Sequence, residues 1–249
     1  MRRALAGLGA AAALAGCGAA AGPQPRPAPA PTVAPGAPAA RPVAVPPAPR
    51  PHEALAVELL RRTALRAAPG SSRVVARVRR RTTFGSPTVL PVVRRRGGWL
   101  GVLAPELGNG GVGWLRSTAA GLLREQWAIT VDLSARRATL RKLGRRVLTF
   151  PVAVGAPEHP TPPGRYGVTD RLRTAAAGSP YGCCILALTG HQPEVPQGWT
   201  GGDRLAIHGT SDPASVGAPV SHGCLRAGGQ ALRFLMRRVP LGTPVVVRE

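Results

Sequence analysis

Two short segments hold the residues of this chain best suited to chemistry. Ile207-His208-Gly209-Thr210 is followed by Ser221-His222-Gly223-Cys224-Leu225-Arg226. A cysteine attacks as its thiolate, and near neutral pH it needs a base at hand; histidine is the usual one. Cys224 is therefore the candidate nucleophile and His208 the candidate base, the bland alternatives being a buried thiol and a histidine that caps a turn. Gly223 lets backbone N–H groups come close to a developing oxyanion. Ser221 and His222 support the same loop, His222 either tuning the thiolate or lending an N–H. Arg226 has paired donors that suit a carboxylate. It either anchors that group on a substrate or fixes the loop, and the sequence leaves both open.

Zinc is the competing chemistry. His208, His222, Cys224 and His191 are all ligand types. His222 and Cys224 lie only two apart, however, and neither a Cys-x-x-Cys nor a His-Glu-x-x-His frame occurs. We expect no metal and no organic cofactor.

The elements that must position this loop are mostly strands. Ile129, Val131 and Leu133 alternate with polar residues, the pattern of a half-buried strand. Gly144 marks a hairpin turn, after which Phe150, Val152 and Val154 share a face. Ala231, Leu232, Leu235 and Met236 have helical spacing, with Pro240 as the stop. Gly242-Thr243-Pro244-Val245-Val246-Val247 reads as a closing strand. Cys183 and Cys184 sit in a turn-then-strand segment. They allow a vicinal disulfide, though a strained one; pairing either with Cys224 would block catalysis, so Cys224 is expected to remain free. The segment from His191 to Asp203, with Trp199, is expected to rim the site.

Thr161-Pro162-Pro163-Gly164-Arg165-Tyr166 adds a second motif upstream of the cysteine. With His208, the gap that follows, and Ser221-His222-Gly223-Cys224 with its nearby Arg226, it closely resembles the signature of the L,D-transpeptidase (YkuD-type) catalytic domain. The resemblance covers roughly half the chain, from about Leu122 to Glu249. It implies a mostly β catalytic fold, a β-sandwich with one or two short helices. It also implies that the Gly209 carbonyl orients the His208 imidazole. The implied reaction is acyl transfer on peptidoglycan stem peptides: Cys224 takes the acyl group as D-alanine leaves, and an amine from a neighbouring stem resolves the thioester. Water in place of the amine would make a carboxypeptidase. A non-catalytic wall-binding protein is the rival from another class.

The N-terminal half reads differently. Arg2 and Arg3 precede an apolar run from Ala4 to Leu14, too short to span a membrane as a helix. Leu14-Ala15-Gly16-Cys17 resembles a lipoprotein cleavage site, so Cys17 is the candidate lipid anchor and residues 1–16 the signal. Residues 17–51 are rich in Pro and Ala and read as an extended spacer. We expect export, with anchoring on the outer face of the cytoplasmic membrane within the cell wall. Residues 52–120 are read as a brief helix from His52 to Leu65 and then short β runs. Their glycine-rich turns and Trp99 and Trp114 resemble a bacterial SH3-like barrel, with the tryptophans as core anchors.

The 249 residues carry a formal charge of +22, and Lys142 is the only lysine among 33 basic residues. Such a charge favours anionic wall polymers or lipid headgroups. No nucleic-acid motif is present, and an export signal argues against that partner.

Overall fold

The computed structural model describes residues 52–174, 178–194 and 202–249. The signal, the spacer and Cys17 lie outside the described residues, as does Trp199.

The first sheet contains β1 (Ala54–Leu59), β2 (Thr63–Arg66), β3 (Val74–Val78), β4 (Val89–Arg96), β5 (Trp99–Val102), β6 (Gly113–Arg116) and β7 (Ala120–Glu125). Their order is β3-β2-β6-β5-β4-β1-β7, and every pairing is antiparallel. The sheet curls into a small barrel, so that Val57, Leu59, Leu65, Val78, Leu90, Leu100 and Leu115 meet in one core. Each fully buried leucine contributes about 1.5–3 kcal/mol. Trp114 is buried as an anchor, whereas Trp99 lies nearer the surface beneath the Arg116 guanidinium.

The helix expected from His52 to Leu65 is two strands instead. Leu55, Val57 and Leu59 alternate, and β1 sits between β4 and β7, where ladder hydrogen bonds and burial together override a short helical spacing. The first sheet also extends past residue 120: β7 pairs along the whole of β1, so the border falls at Gln126.

The second sheet contains β8 (Trp127–Asp132), β9 (Arg137–Lys142), β10 (Arg145–Gly155), β11 (Gly164–Arg173), β12 (Cys184–His191), β13 (Arg204–His208), β14 (Pro219–Ser221), β15 (Leu225–Ala227) and β16 (Pro244–Arg248). Its order is β14-β10-β15-β13-β12-β11-β16-β8-β9, with β10 also pairing β9. This extra pairing folds the sheet back on itself around Ile129, Leu140, Phe150, Val168, Leu186, Ile207 and Leu225. The turn between β9 and β10 places Leu143 and Gly144 at positive φ, the geometry that suits the right-handed twist of a hairpin. One α-helix, α1 (Gly229–Arg238), buries Leu232, Leu235 and Met236 against this core.

The two sheets pack directly on one another. Pro91 of β4 lies so close to Gly167 of β11 that a Cβ there would come within 2.4 Å of the proline ring. The Asn109 side-chain amide donates to the His191 carbonyl at 2.7 Å and accepts from the His191 N–H at 2.8 Å. At the junction Glu125 is 5% exposed and accepts from the Thr243 hydroxyl at 3.3 Å.

Burial raises the Glu125 pKa from 4.5 to about 7, against a smaller downward pull from Thr243. A raised carboxyl favours folding below its unfolded pKa, and that contribution is lost as pH rises through the folded value. Melting curves of wild type and Glu125→Gln should therefore coincide near pH 4 to 5 and separate towards pH 8. There the variant should be higher by about 2–4 °C, allowing for residual solvent screening. Parallel curves across that range would show that Glu125 is ionised in the fold at no cost.

Candidate active site

Cys224 and His208 come together through strand register. β13 and β15 run parallel, with Ile207 opposite Leu225 and His208 opposite Arg226. Side chains alternate across a strand, so Arg204, Ala206 and His208 of β13 share a face with Cys224 and Arg226 at β15. All five line one cavity of about 310 Å³, together with Ser221, His222, Gln192 and Tyr181.

His208 is buried, and its Nδ1 lies 2.5 Å from the Gly209 carbonyl oxygen. A carbonyl can only accept, so Nδ1 carries the proton and Nε2 is left as the bare nitrogen. The Tyr181 ring meets the imidazole edge-on, 5.0 Å between centroids. Burial is the largest influence on His208 and, with the nearby Arg226 cation, holds its pKa down at about 4 despite the opposing Gly209 bond. The imidazole is thus a neutral base at rest.

Cys224 is the free cysteine among the described residues; Cys183 and Cys184 are bonded to each other. The Cys224 thiol donates to the Arg204 carbonyl at 3.6 Å. Burial pushes its pKa up to about 11, while a backbone hydrogen bond at Ala206 and the Arg226 charge pull the other way. An activated cysteine is ordinarily expected to have a lowered thiol pKa. Cys224 as a residue is only partly buried, and it is desolvation at the sulfur that disfavours the thiolate before any substrate is present. His208 and Cys224 therefore rest as a neutral pair, with Arg226 favouring both an uncharged imidazole and an anionic sulfur.

The cysteine loop is strapped from several sides. The Ser221 hydroxyl donates to the Cys224 carbonyl at 2.5 Å and accepts from the Gly223 N–H at 3.1 Å. The Gly223 N–H is thereby engaged by the Ser221 hydroxyl. Thr161 explains its motif. Its hydroxyl donates to the Gly223 carbonyl at 2.8 Å and accepts from Gly155 N–H at 2.9 Å, tying the loop to β10. His222 is exposed, with its ring 5.3 Å from that of His159.

Gln192 was not singled out from sequence. Its side-chain amide donates to the carbonyls of His159, Pro160 and His222, at 3.2, 2.9 and 3.4 Å. A lone glutamine after a strand carries no signal of this kind. Tyr181 was missed for the same reason. Its approach to His208 depends on Gly182, at φ 59°, where a Cβ would press into the Gly209–Thr210 backbone. His191 pairs with Asp203 at 2.9 Å and its Nε2 lies 3.0 Å from the Pro105 carbonyl. Among the described residues no cluster of three or more His, Cys, Asp or Glu could hold a metal ion.

Residues 126–247 match the L,D-transpeptidase catalytic domain, YkuD. The YkuD protein of Bacillus subtilis strain 168, named as an L,D-transpeptidase, is 34% identical over 121 residues, 49% of this chain and 65% of its own length. YbiS of Escherichia coli K12, also named so, is 38% identical over 73 residues, 28% of this chain and 22% of that one. The chain therefore spans less than two thirds of these relatives. A crystal structure of an L,D-transpeptidase from Mycobacterium tuberculosis H37Rv aligns with 57% of this chain and 67% of its own, at 20% identity and a TM-score of 0.39.

Gly223 has φ 104°, and a Cβ there would lie 2.2 Å from the Gln192 amide nitrogen. Gly223→Ala should therefore fold with a lower melting temperature, as strain of ~1–3 kcal/mol enters the loop. Reaction of Cys224 with an acylating substrate should slow at least tenfold, read by intact mass against time. A variant with unchanged melting and acylation would show that the loop accepts a side chain.

Proposed function

We propose that this chain, whose residues 126–247 match the L,D-transpeptidase catalytic domain of the YkuD type, forms cross-links between peptidoglycan stem peptides through an acyl-enzyme on Cys224. The observation that supports this most is the shared cavity of Cys224, His208 and Arg226, with Nε2 of His208 left as the acceptor.

The steps follow from the resting pair. As Sγ attacks the donor carbonyl, its proton passes to His208 Nε2, so sulfur acquires anionic character only as the new bond forms. General-base assistance of this kind contributes typically ~100- to 10,000-fold. The tetrahedral intermediate collapses, His208 returns the proton to the leaving amine, and D-alanine departs. The thioester is then attacked by the amine of a second stem. His208 takes that proton and delivers it to the departing sulfur. Backbone N–H groups at the cysteine loop stabilise the oxyanion, and Arg226 holds a substrate carboxylate. Hydrolysis of the same thioester would give a trimmed stem, so product analysis reads both outcomes.

The neutral pair has a catalytic logic. A permanent thiolate would lie beside Arg226 as a stable ion pair and would have to give up that stabilisation on attack. A neutral thiol has no such ion pair to give up, and its anionic character develops only as the new bond forms. Closure of the cavity by substrate further strengthens the local electrostatics.

Purified protein with tetrapeptide-bearing muropeptides should yield D-alanine and cross-linked dimers, measured by mass analysis. Cys224→Ala should reduce both products below a few per cent while melting as wild type does. Turnover in that variant would refute the cysteine mechanism. Export and a lipid anchor at Cys17 belong to the same proposal, with anionic wall and lipid surfaces as further partners. A Cys17→Ser protein that still partitioned into detergent after a high-salt wash would remove the anchor.

A further inference from the structure

The cavity that holds Cys224 is not built by the catalytic sheet alone. Phe84, from the hairpin between β3 and β4 of the barrel, lines it together with Leu172, Tyr181 and Ile185. The Phe84 side chain is on a residue 48% exposed. A single exposed phenylalanine means little by itself. This one faces a cavity with a nucleophile, and the structure spends a buried carboxylate on holding its hairpin in place.

The hairpin closes with an antiparallel bridge between Arg81 and Pro87 and with Gly85 at φ 87°. Its organising atom is the Thr82 hydroxyl. That oxygen accepts from the N–H of Phe84 and of Ser86, each at 3.2 Å, and donates to Asp170 Oδ1 at 2.5 Å. Asp170 belongs to β11 of the catalytic sheet and is 0% exposed. Burying a carboxylate is expensive unless it is hydrogen-bonded; Oδ2 of Asp170 has no hydrogen-bond partner among the described residues, so losing the Thr82 bond to Oδ1 would be costly and that contact fixes the hairpin against the catalytic sheet. The backbone amide that fixes the Phe84 position is thus two hydrogen bonds from a buried anchor in the other domain.

We propose that Phe84 is an apolar substrate-positioning residue. The barrel hairpin forms a wall of the cleft, and the ring covers an uncharged aliphatic part of the donor stem peptide while its carbonyl lies at Cys224. The proposal rests on the function given above, because it names a contact for that donor. The cavity that Phe84 lines supports the choice of ligand chemistry: Leu172, Ile185 and Tyr181 add apolar surface to it, and its charged groups are other residues, Asp203, Arg204 and Arg226 among them. The ring has solvent-exposed surface left to bury, and apolar burial is the interaction it can add. Thr82 acts through Phe84 and is a positioning residue at one remove.

Steady-state kinetics on the full chain with a tetrapeptide donor test this. Phe84→Ala should raise the donor KM about tenfold and leave kcat within about threefold, since the ring binds ground state and transition state alike. Phe84→Leu should recover most of the lost affinity. Thr82→Val should raise KM in the same direction. The rate of Cys224 alkylation by iodoacetamide, too small to span the cleft, should stay as in wild type for Phe84→Ala. An active wild type whose KM is unchanged in Phe84→Ala would overturn the subsite alone, as would a loss confined to kcat that tracks a fall in melting temperature. A wild type inert towards the donor would overturn the proposed function, and the subsite with it.

Discussion

The site depends on desolvation of two groups on neighbouring parallel strands. His208 and Cys224 are brought into one cavity by the β13–β15 register, and the burial that orders them also removes the water that would charge them. Desolvation moves an imidazole down and a thiol up, so the two values separate instead of crossing. In the proposed mechanism the resting pair is neutral, and proton transfer waits until a carbonyl is under attack. Arg226 lies opposite His208 in the register and lowers both values, tilting the site towards a free base and an anionic sulfur. Its charge therefore does two things at once, whichever group it binds on a substrate.

Holding that pair requires a rigid loop, and the surrounding contacts supply one. Ser221 closes the turn from within, Thr161 ties it to β10, and Gln192 gathers three carbonyls beside it. Gly223 is the point where these constraints meet. Its φ lies in the region that disfavours side chains, and its missing Cβ leaves room for Gln192. The Thr161 motif is thus physically part of the cysteine loop, although many residues separate them in sequence. The barrel enters the same structure through the Thr82–Asp170 bond, which brings an apolar ring to a cavity otherwise built by the second sheet.

Much of this was legible in the sequence. The candidate site announces itself because chemistry constrains local spacing: His208 ends β13, Ser221 ends β14, Cys224 follows in the turn and Arg226 lies on β15. Alternation in Ile129–Leu133 and the helical spacing of Leu232, Leu235 and Met236 likewise reflect which faces are buried. Three things were not legible. The strand β1 was mistaken for a helix because its apolar residues satisfy both periods over so short a run, and only its place between two partners decides between them. The thiol shift could not be read, since desolvation is set by the whole cavity and not by flanking residues. Gln192, Tyr181 and Phe84 act through long-range packing, and residue type alone gives no hint of it.

The neutral resting pair is the central claim, and a thiolate absorbance titration at 240 nm tests it most directly. The difference between wild type and Cys224→Ser isolates Cys224 from the tyrosines and the bonded cysteines. The account predicts no thiolate signal through pH 9 and a rise centred near 11, as burial requires. A thiolate already formed at pH 7 would contradict it, and would mean that Cys224 and His208 rest as an ion pair.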